Sequence, residues 1–473
     1  MNHQKISNTI IKIAIISDLH VMAPELLVNE GNAFEQYLNQ DRKMLRESLE
    51  ILDSLVSDIL ELKPDLVLVT GDLTKDGERV SHQLVAGRLQ RLVDAGIQVL
   101  VVPGNHDINN PDARTYDGDT STPTETITRG EFAEIYEQMG YDSLSRRDPD
   151  TLSYCRDVTD SLTILAIDAC MDRLNTFVSR GDARDHCKTS GNLEVSSQQW
   201  LVEQAAAATS AGKHVIAMMH HHLVPHFDME DTLAAPYMVD GARQLCQQLV
   251  GAGVHVIFTG HLHISDVSQT HLSQGQMVEI ATAAAVGYPC QWRVATCNSS
   301  TGKMQLRTIT LHSLPSDPDF GERAQGVFKS CIPSMTRGVL TRYWPEISQA
   351  IGNYRSQHPF VMRYVDIPET PEGIARLLLK HLQEPVTRAY IAFAEGNEGG
   401  SDNLALVEQL IDGVNHVVNE TTRGILRPLS KAALRLRVYS IARKVLRSIL
   451  EDRNDIGTKH EAVINDHTAI ISI

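Results

Sequence analysis

Short apolar runs that alternate with helical patterns constrain the fold of this chain more than any other feature of its first 310 residues. The runs predict strands at residues 11–17, 65–70, 98–102, 162–167, 214–219 and 254–259. Between them, a three-to-four spacing of apolar residues predicts helices at residues 41–62, 78–95, 196–211 and 241–251. Buried strands that alternate with half-buried helices are typical of an α/β layer structure.

The pattern changes after residue 313, at two prolines within residues 314–319, and helical periodicity follows. A chain of 473 residues also exceeds what one hydrophobic core usually serves. We therefore predict an α/β domain at residues 1–313 and a mainly helical domain at residues 314–473. Its clearest helix is predicted at residues 431–450, with a packed apolar stripe under a basic face; docking of that face on the acidic first domain or a membrane surface is the alternative.

The net charge of -16 lies entirely in the first predicted domain, because residues 314–473 carry 19 basic and 19 acidic side chains. An acidic surface disfavours long polyanions, so a nucleic-acid polymer is not the expected partner. Small anionic substrates remain compatible with this charge, since bound metal ions reverse it locally.

The seven cysteines are scattered, odd in number and never spaced as C-x-x-C, which fits a reducing compartment and predicts a cytoplasmic protein. No apolar window approaches the roughly 18 to 20 residues that cross a bilayer, so we expect no transmembrane segment. The apolar residues 10–16 continue directly into a polar motif, and we interpret them as a buried strand instead of a secretion signal.

Five polar motifs follow the predicted strands, at the carboxyl ends where α/β folds present their sites. They are Asp18-Leu19-His20, Gly71-Asp72, Gly104-Asn105-His106-Asp107, His220-His221-His222 and Gly260-His261-Leu262-His263. Asp18 and His20 are two residues apart, as are His261 and His263, so on extended chain each pair would point to one side. Oxygen and imidazole donors without thiolate suit Mn, Fe, Zn or Co, and Asp72 is the expected bridge between two divalent ions.

In this order, the motifs resemble the calcineurin-like metallophosphoesterase superfamily over residues 11 to about 311. Residues 71–77 and 220–225 are similar to its branch of class III cyclic nucleotide phosphodiesterases and glycerophosphodiesterases. The resemblance implies a four-layer β-sandwich flanked by helices. It implies one metal ion on Asp18, His20, Asp72 and His263, a second on Asp72, Asn105, His220 and His261, a catalytic His106, and Asp107 as the carboxylate that orients His106.

The fourth motif departs from the family pattern, because three histidines precede Leu223-Val224-Pro225. The metal ligand is therefore His220 or His221, with His220 preferred and the spare histidines lining the site. Residues 71–77 and 103–107 lack the signatures of protein serine/threonine phosphatases, and Leu73, Thr74 and Lys75 stand where purple acid phosphatases carry a tyrosine ligand.

The expected reaction is hydrolysis of a small phosphodiester, a cyclic nucleotide or a glycerophosphodiester, by a water molecule that two metal ions acidify. His106 is the expected proton donor to the leaving group, and Asn105, His106, His221 and Arg114 are candidate substrate contacts. A phosphomonoesterase or nucleotidase and a catalytically silent metal-binding scaffold are the alternatives. The helical domain is expected to cap the site, bind a partner or build a homo-oligomer.

Overall fold

The computed structural model describes residues 9–39, 41–177, 187–227, 230–397, 401–422 and 466–473. The helix predicted at residues 431–450 lies outside these residues. Among the described helices, none combines the length and apolar character that crossing a membrane requires.

Two large sheets and one small sheet contain the described strands. The first sheet has the order β16 (Thr468–Ser472), β15 (Lys303–Thr310), β14 (Gln291–Asn298), β1 (Ile10–Ile16), β3 (Leu66–Thr70) and β4 (Gln98–Val102). The second has the order β12 (Asp266–Leu272), β13 (Gly275–Ala281), β11 (Val254–Thr259), β10 (His214–Met219), β9 (Leu162–Ile167), β8 (Tyr154–Asp157) and β7 (Arg146–Arg147). The small sheet contains β2 (Leu27–Asn29), β5 (Arg114–Asp117) and β6 (Thr120–Pro123).

Helices cover the outer faces of the large sheets and make up most of the C-terminal part. Those of the α/β part are α1 (Asn32–Leu38), α2 (Ser48–Leu62), α3 (Arg79–Asp94), α4 (Arg129–Ile135), α5 (Val195–Ser210), α6 (Glu230–Leu233) and α7 (Ala242–Gly251). The C-terminal part contains α8 (Phe320–Arg342), α9 (Trp344–Gln357), α10 (Pro359–Met362), α11 (Pro371–Glu395) and α12 (Ser401–Thr421).

Strand β10 shows how the layers stack. Ile216 and Met218 belong to the core between the large sheets, whereas Val215, Ala217 and Met219 belong to a second core under α5 and α7. A strand alternates its side chains between two faces, so β10 is buried from both sides. The order of helices, sheet, sheet and helices is the four-layer arrangement that the family resemblance implies.

The last described strand crosses the predicted domain boundary, because β16 pairs with β15 at the edge of the first sheet. The fully buried Arg293 helps to hold the C-terminal strand against the first sheet, because it donates to the carbonyl oxygens of Asp466 and Ala281. The helical part also contacts the α/β part where Phe393 of α11 packs with Leu262 and Ile264. The C-terminal strand thus belongs to the first sheet of the α/β part, and the described residues between β15 and β16 contain helices α8 to α12.

Candidate metal centre

The five motifs reach a common edge through turns in which several residues adopt left-handed backbone conformations. The φ angles are 51° at Asp18, 37° at His20, 48° at Asp72, 72° at His261 and 62° at His263. Such angles are rare for residues other than glycine and cost about 1–3 kcal/mol each, so they persist where the surroundings impose them. We expected Asp18 and His20 to point the same way because they would lie on an extended strand. This explanation is wrong, because β1 ends at Ile16 and both residues lie in the turn that follows.

The first group of side chains consists of Asp18, His20 and His263, all buried. The Oδ1 atom of Asp18 lies 3.2 Å from Nε2 of His263 and 3.8 Å from Nε2 of His20. The two imidazole Nε2 atoms are 3.3 Å apart. Three donor atoms thus converge on one point, and we call these residues the Asp18 group.

The second group consists of Asp72, His220 and His261, with Asn105 beside them. The Nε2 atom of His220 lies 3.2 Å from Oδ2 of Asp72 and 3.2 Å from Oδ1 of Asn105. The His261 ring packs against the His220 ring with centroids 4.5 Å apart. We call these four residues the His220 group.

A single carboxylate oxygen lies between the two groups. Oδ2 of Asp72 is 3.5 Å from Nε2 of His20 and 3.2 Å from Nε2 of His220. Its other oxygen, Oδ1, accepts the backbone N–H of His106 at 2.9 Å, which fixes the carboxylate plane. The structure thus places Asp72 where a bridging ligand would stand.

The residues of both groups fit divalent cations. With metal–donor bonds of about 2.0–2.2 Å, neighbouring donors lie roughly 3.0–3.5 Å apart, as several of these pairs do. His220 donates Nδ1–H to the carbonyl oxygen of Thr70 at 2.9 Å, and His261 donates Nε2–H to that of Pro236 at 3.2 Å. Such contacts select the tautomer that directs the other nitrogen toward a metal ion.

Close contact among carboxylates and imidazoles shifts the pKa values of both kinds of side chain in the site. Burial raises the pKa of Asp18, but His263 and His20 outweigh it and hold that pKa well below its usual range. Burial lowers the pKa of His220, yet the Asp72 carboxylate raises it to about 9. Burial also raises the pKa of Asp72, but His220, His106 and His20 outweigh it and hold that pKa well below its usual range. Both carboxylates are therefore ionised in the neutral pH range, and their negative charge attracts cations.

His221 lies beside the His220 group without joining it. Its Nε2–H donates to the carbonyl oxygen of Thr189 at 3.0 Å, and its ring packs against His261 with centroids 4.7 Å apart. Burial, with the charge of His220, lowers its pKa to about 3, so His221 is neutral. Of the two candidates in this motif, the structure brings His220 to Asp72.

The partner of His106 differs from the one predicted. The Nδ1 atom of His106 lies 2.8 Å from Oδ1 of the buried Asp76, so Asp76 is the carboxylate that orients this ring. The Asp107 side chain points away and accepts the backbone N–H groups of Leu73, Thr74 and Gly104. The prediction for Asp107 is wrong because its carboxylate is already occupied in joining two motif loops.

Two lysines lie near the site, and nothing in the sequence distinguishes them from ordinary surface lysines. Lys75 is fully buried, ion-paired with Asp76 and lies 3.5 Å from Glu78. Lys43 pairs with Asp41 at 3.2 Å. Burial lowers the Lys43 pKa, but Asp41, Asp76 and Asp72 outweigh it and raise that pKa. Lys43 therefore adds a positive charge within electrostatic range of the metal-binding groups.

Two motif glycines are required by close packing at the site. A Cβ atom on Gly104 would lie 2.1 Å from Oδ1 of Asp72, and one on Gly260 would lie 2.0 Å from Oγ of Ser17. Atoms do not approach so closely, so a side chain at either position would displace a candidate ligand or its support. Arg114 is the half-buried first residue of β5, and its role in binding phosphate stays a prediction.

The comparison with protein families agrees with the resemblance of the motifs. A family model for calcineurin-like phosphoesterases matches residues 11–265, which include all five motifs. No curated protein matches the chain at a significant level. A solved dimetal phosphatase from Danio rerio is 15% identical, with 63% of this chain and 96% of that chain covered and a TM-score of 0.44. A structure of PhoD is 11% identical, with 66% and 68% covered and a TM-score of 0.39.

Proposed function

The chain belongs to the calcineurin-like phosphoesterase family, and from this premise we propose that it hydrolyses a small phosphodiester, a cyclic nucleotide or a glycerophosphodiester. The family acts through two metal ions on phosphoric esters. The preference for a diester rests on the resemblance of residues 71–77 and 220–225 to the phosphodiesterase branch.

We assign the two ions to the groups that meet at Asp72. One would be held by Asp18, His20, Asp72 and His263, and the other by Asp72, Asn105, His220 and His261. The position of Asp72 Oδ2 between His20 and His220 is the observation that carries the proposal. The donor set suits Mn, Fe or Zn.

When bound, the two ions supply a water molecule of lowered pKa and neutralise the phosphoryl oxygens. His106 has the task of protonating the leaving alkoxide. Its ring lies edge-on to His20 with centroids 4.9 Å apart, so it faces the centre, while Asp76 holds Nδ1. Burial lowers the pKa of His106, but Asp72 and Asp76 outweigh it and raise that pKa, which favours the protonated form that a general acid needs.

A phosphomonoesterase is the second candidate, and Lys43 is the observation that favours it. A monoester dianion carries one more negative charge than a diester, and the positive charge of Lys43, which acts on the pKa of His20 and His106, favours the more negative substrate. Asn105 and His106 contact the substrate in either case.

The test uses the full chain, stripped with a chelator and restored with Mn²⁺, Fe²⁺, Zn²⁺ or Mg²⁺ singly. Rates are compared on bis(p-nitrophenyl) phosphate and p-nitrophenyl phosphate. We expect metal-dependent turnover that favours the diester and is lost in His220→Ala but kept in His255→Ala, a β11 histidine that bonds to the Gln276 carbonyl oxygen. A preference for the monoester overturns the diester assignment, and no turnover with any metal overturns the proposal that the chain is an enzyme.

All seven cysteines are free, which supports the proposal that the protein works in the cytoplasm. A homo-oligomer through the helical part is a further proposal, and light scattering of the purified chain tests it. A mass of one chain would contradict it.

A further inference from the structure

A second cluster of histidines and carboxylates lies behind the metal centre and takes no part in the proposed reaction. It consists of His222 and His226, which follow β10, Glu230 at the start of α6, and Glu279 of β13. All four are buried, with exposed fractions of 0%, 3%, 0% and 0%. Ionisable groups so far from water need a specific partner to offset the cost of burial. We call these residues the inner cluster.

Three residues of the inner cluster bring donor atoms close to one another, and Glu230 contacts one of them. Nδ1 of His222 lies 2.8 Å from Oε1 of Glu230, and Nε2 of His226 lies 3.3 Å from Oε1 of Glu279. One donor atom each from His222, His226 and Glu279 can be chosen so that all three lie within 4.8 Å of one another. Tetrahedral Zn²⁺ with bonds of about 2.0–2.1 Å places its donors roughly 3.3 Å apart, so small side-chain movements complete the geometry.

The opposite nitrogen of each histidine is held by a strong acceptor. His226 Nδ1 is hydrogen-bonded to the Asp266 carboxylate, and His222 donates Nε2–H to the Gly260 carbonyl oxygen at 2.8 Å. Metal-bound histidines characteristically bond their second nitrogen to a carboxylate or carbonyl group in this way. His222 Nδ1 and His226 Nε2 are thereby directed toward the two glutamates.

Hydrogen bonds also fix the carboxylate of Glu279. The backbone N–H groups of Leu223 and Val224 donate to its Oε2 at 2.8 and 2.6 Å, and the Thr259 hydroxyl donates to Oε1 at 2.8 Å. Oε2 is thus used to hold the loop after β10, and Oε1 remains oriented toward His226. The candidate metal ligands and the hydrogen bonds that orient them are therefore both present.

We propose that the inner cluster binds a third divalent cation, of the Zn²⁺ type, through His222, His226 and Glu279, with Glu230 beside them as the partner of His222. The three ligands are buried and out of reach of substrate, so this cation is structural. It joins the loop after β10 to β13. The same loop begins with His220, and Gly260 precedes His261, so the cation stabilises the backbone that carries two candidate ligands of the metal centre.

The experiment counts the metal in the full chain. The protein is stripped with a chelator, reloaded with Zn²⁺, freed of excess ion by gel filtration and measured by plasma mass spectrometry. We expect three ions per chain in the wild type, two in His226→Gln and one in the double variant Asp18→Ala/Asp72→Ala, which lacks both carboxylates of the catalytic pair. His255 belongs to neither site, so the control variant His255→Gln is expected to keep three ions.

A wild-type chain that saturates at two ions, or a His226→Gln chain that keeps three, overturns the proposal. If His226→Gln does not fold, the double variant decides, because one retained ion supports the inner cluster and none overturns it. Cobalt gives an independent signature, since tetrahedral Co²⁺ in the double variant should absorb strongly in the visible range. The count does not depend on turnover, so failure of the proposed hydrolysis and failure of the third site are distinguishable.

Discussion

The contact between His106 and Asp76 makes a sharp prediction for the substitution Asp76→Asn. The variant keeps the size of the side chain and removes the negative charge 2.8 Å from Nδ1 of His106. Hydrogen bonds to charged groups contribute about 1.5–3 kcal/mol, which corresponds to a rate loss of about 10- to 150-fold. That loss should appear in kcat/KM for a diester with a poor alkyl leaving group, because only such a group needs a proton.

The leaving group and the pH profile separate this role from a structural one. With bis(p-nitrophenyl) phosphate, whose leaving group needs little protonation, we expect a loss of less than about threefold. Asp76 raises the pKa of His106, so its removal lowers that pKa. A general acid works only when protonated, and the fall in activity at high pH should therefore move to lower pH in Asp76→Asn.

Glu78→Gln is the matched control, because Glu78 also contacts Lys75 and also loses one buried charge, but does not contact His106. It should leave the leaving-group dependence and the pH profile unchanged. Equal losses on both substrates in Asp76→Asn, or the same pH shift in Glu78→Gln, would refute the reasoning.

Three further substitutions follow from the same contacts. Asp107→Asn should lower the free energy of unfolding by about 2–4 kcal/mol in urea, because an amide nitrogen in place of Oδ2 cannot accept the backbone N–H groups of Leu73 and Gly104; a leaving-group-dependent rate loss without destabilisation would contradict this. Gly104→Ala should weaken metal binding about 10- to 100-fold in calorimetry, because the new Cβ displaces Asp72; unchanged affinity would contradict it. Lys43→Met should raise KM for a monoester more than for a diester, since the monoester carries one more negative charge for Lys43 to attract; an equal change on both would contradict this preference.

Buried strands were predictable because both faces of them are apolar. Strand β10 was expected at residues 214–219 and occurs at His214–Met219, and β3 and β4 also lie within one residue of their predicted bounds. Strands β12 to β15 were not predicted. In β15, exposed Lys303 and Gln305 alternate with buried Met304 and Leu306, and such a half-exposed strand resembles ordinary surface sequence.

Metal-binding residue types at strand ends were predictable, but the contacts among them were not. The sequence places Asp107 next to His106, which favours it as the partner, whereas the turn at residues 104–107 directs its carboxylate to backbone N–H groups. Asp76 lies 30 positions from His106 in the chain, and only the pairing of β3 with β4 brings their loops together. Long-range contacts of this kind depend on sheet order, which a local pattern does not contain.

The central claim is that Asp72 bridges two metal ions, and anomalous diffraction from crystals of the Mn²⁺-loaded chain tests it most directly. The account predicts two peaks about 3.5–4 Å apart, one beside Asp18, His20 and His263 and the other beside Asn105, His220 and His261, with Asp72 between them. A single peak at this edge of the sheets, or a pair of peaks that Asp72 does not contact, would contradict it.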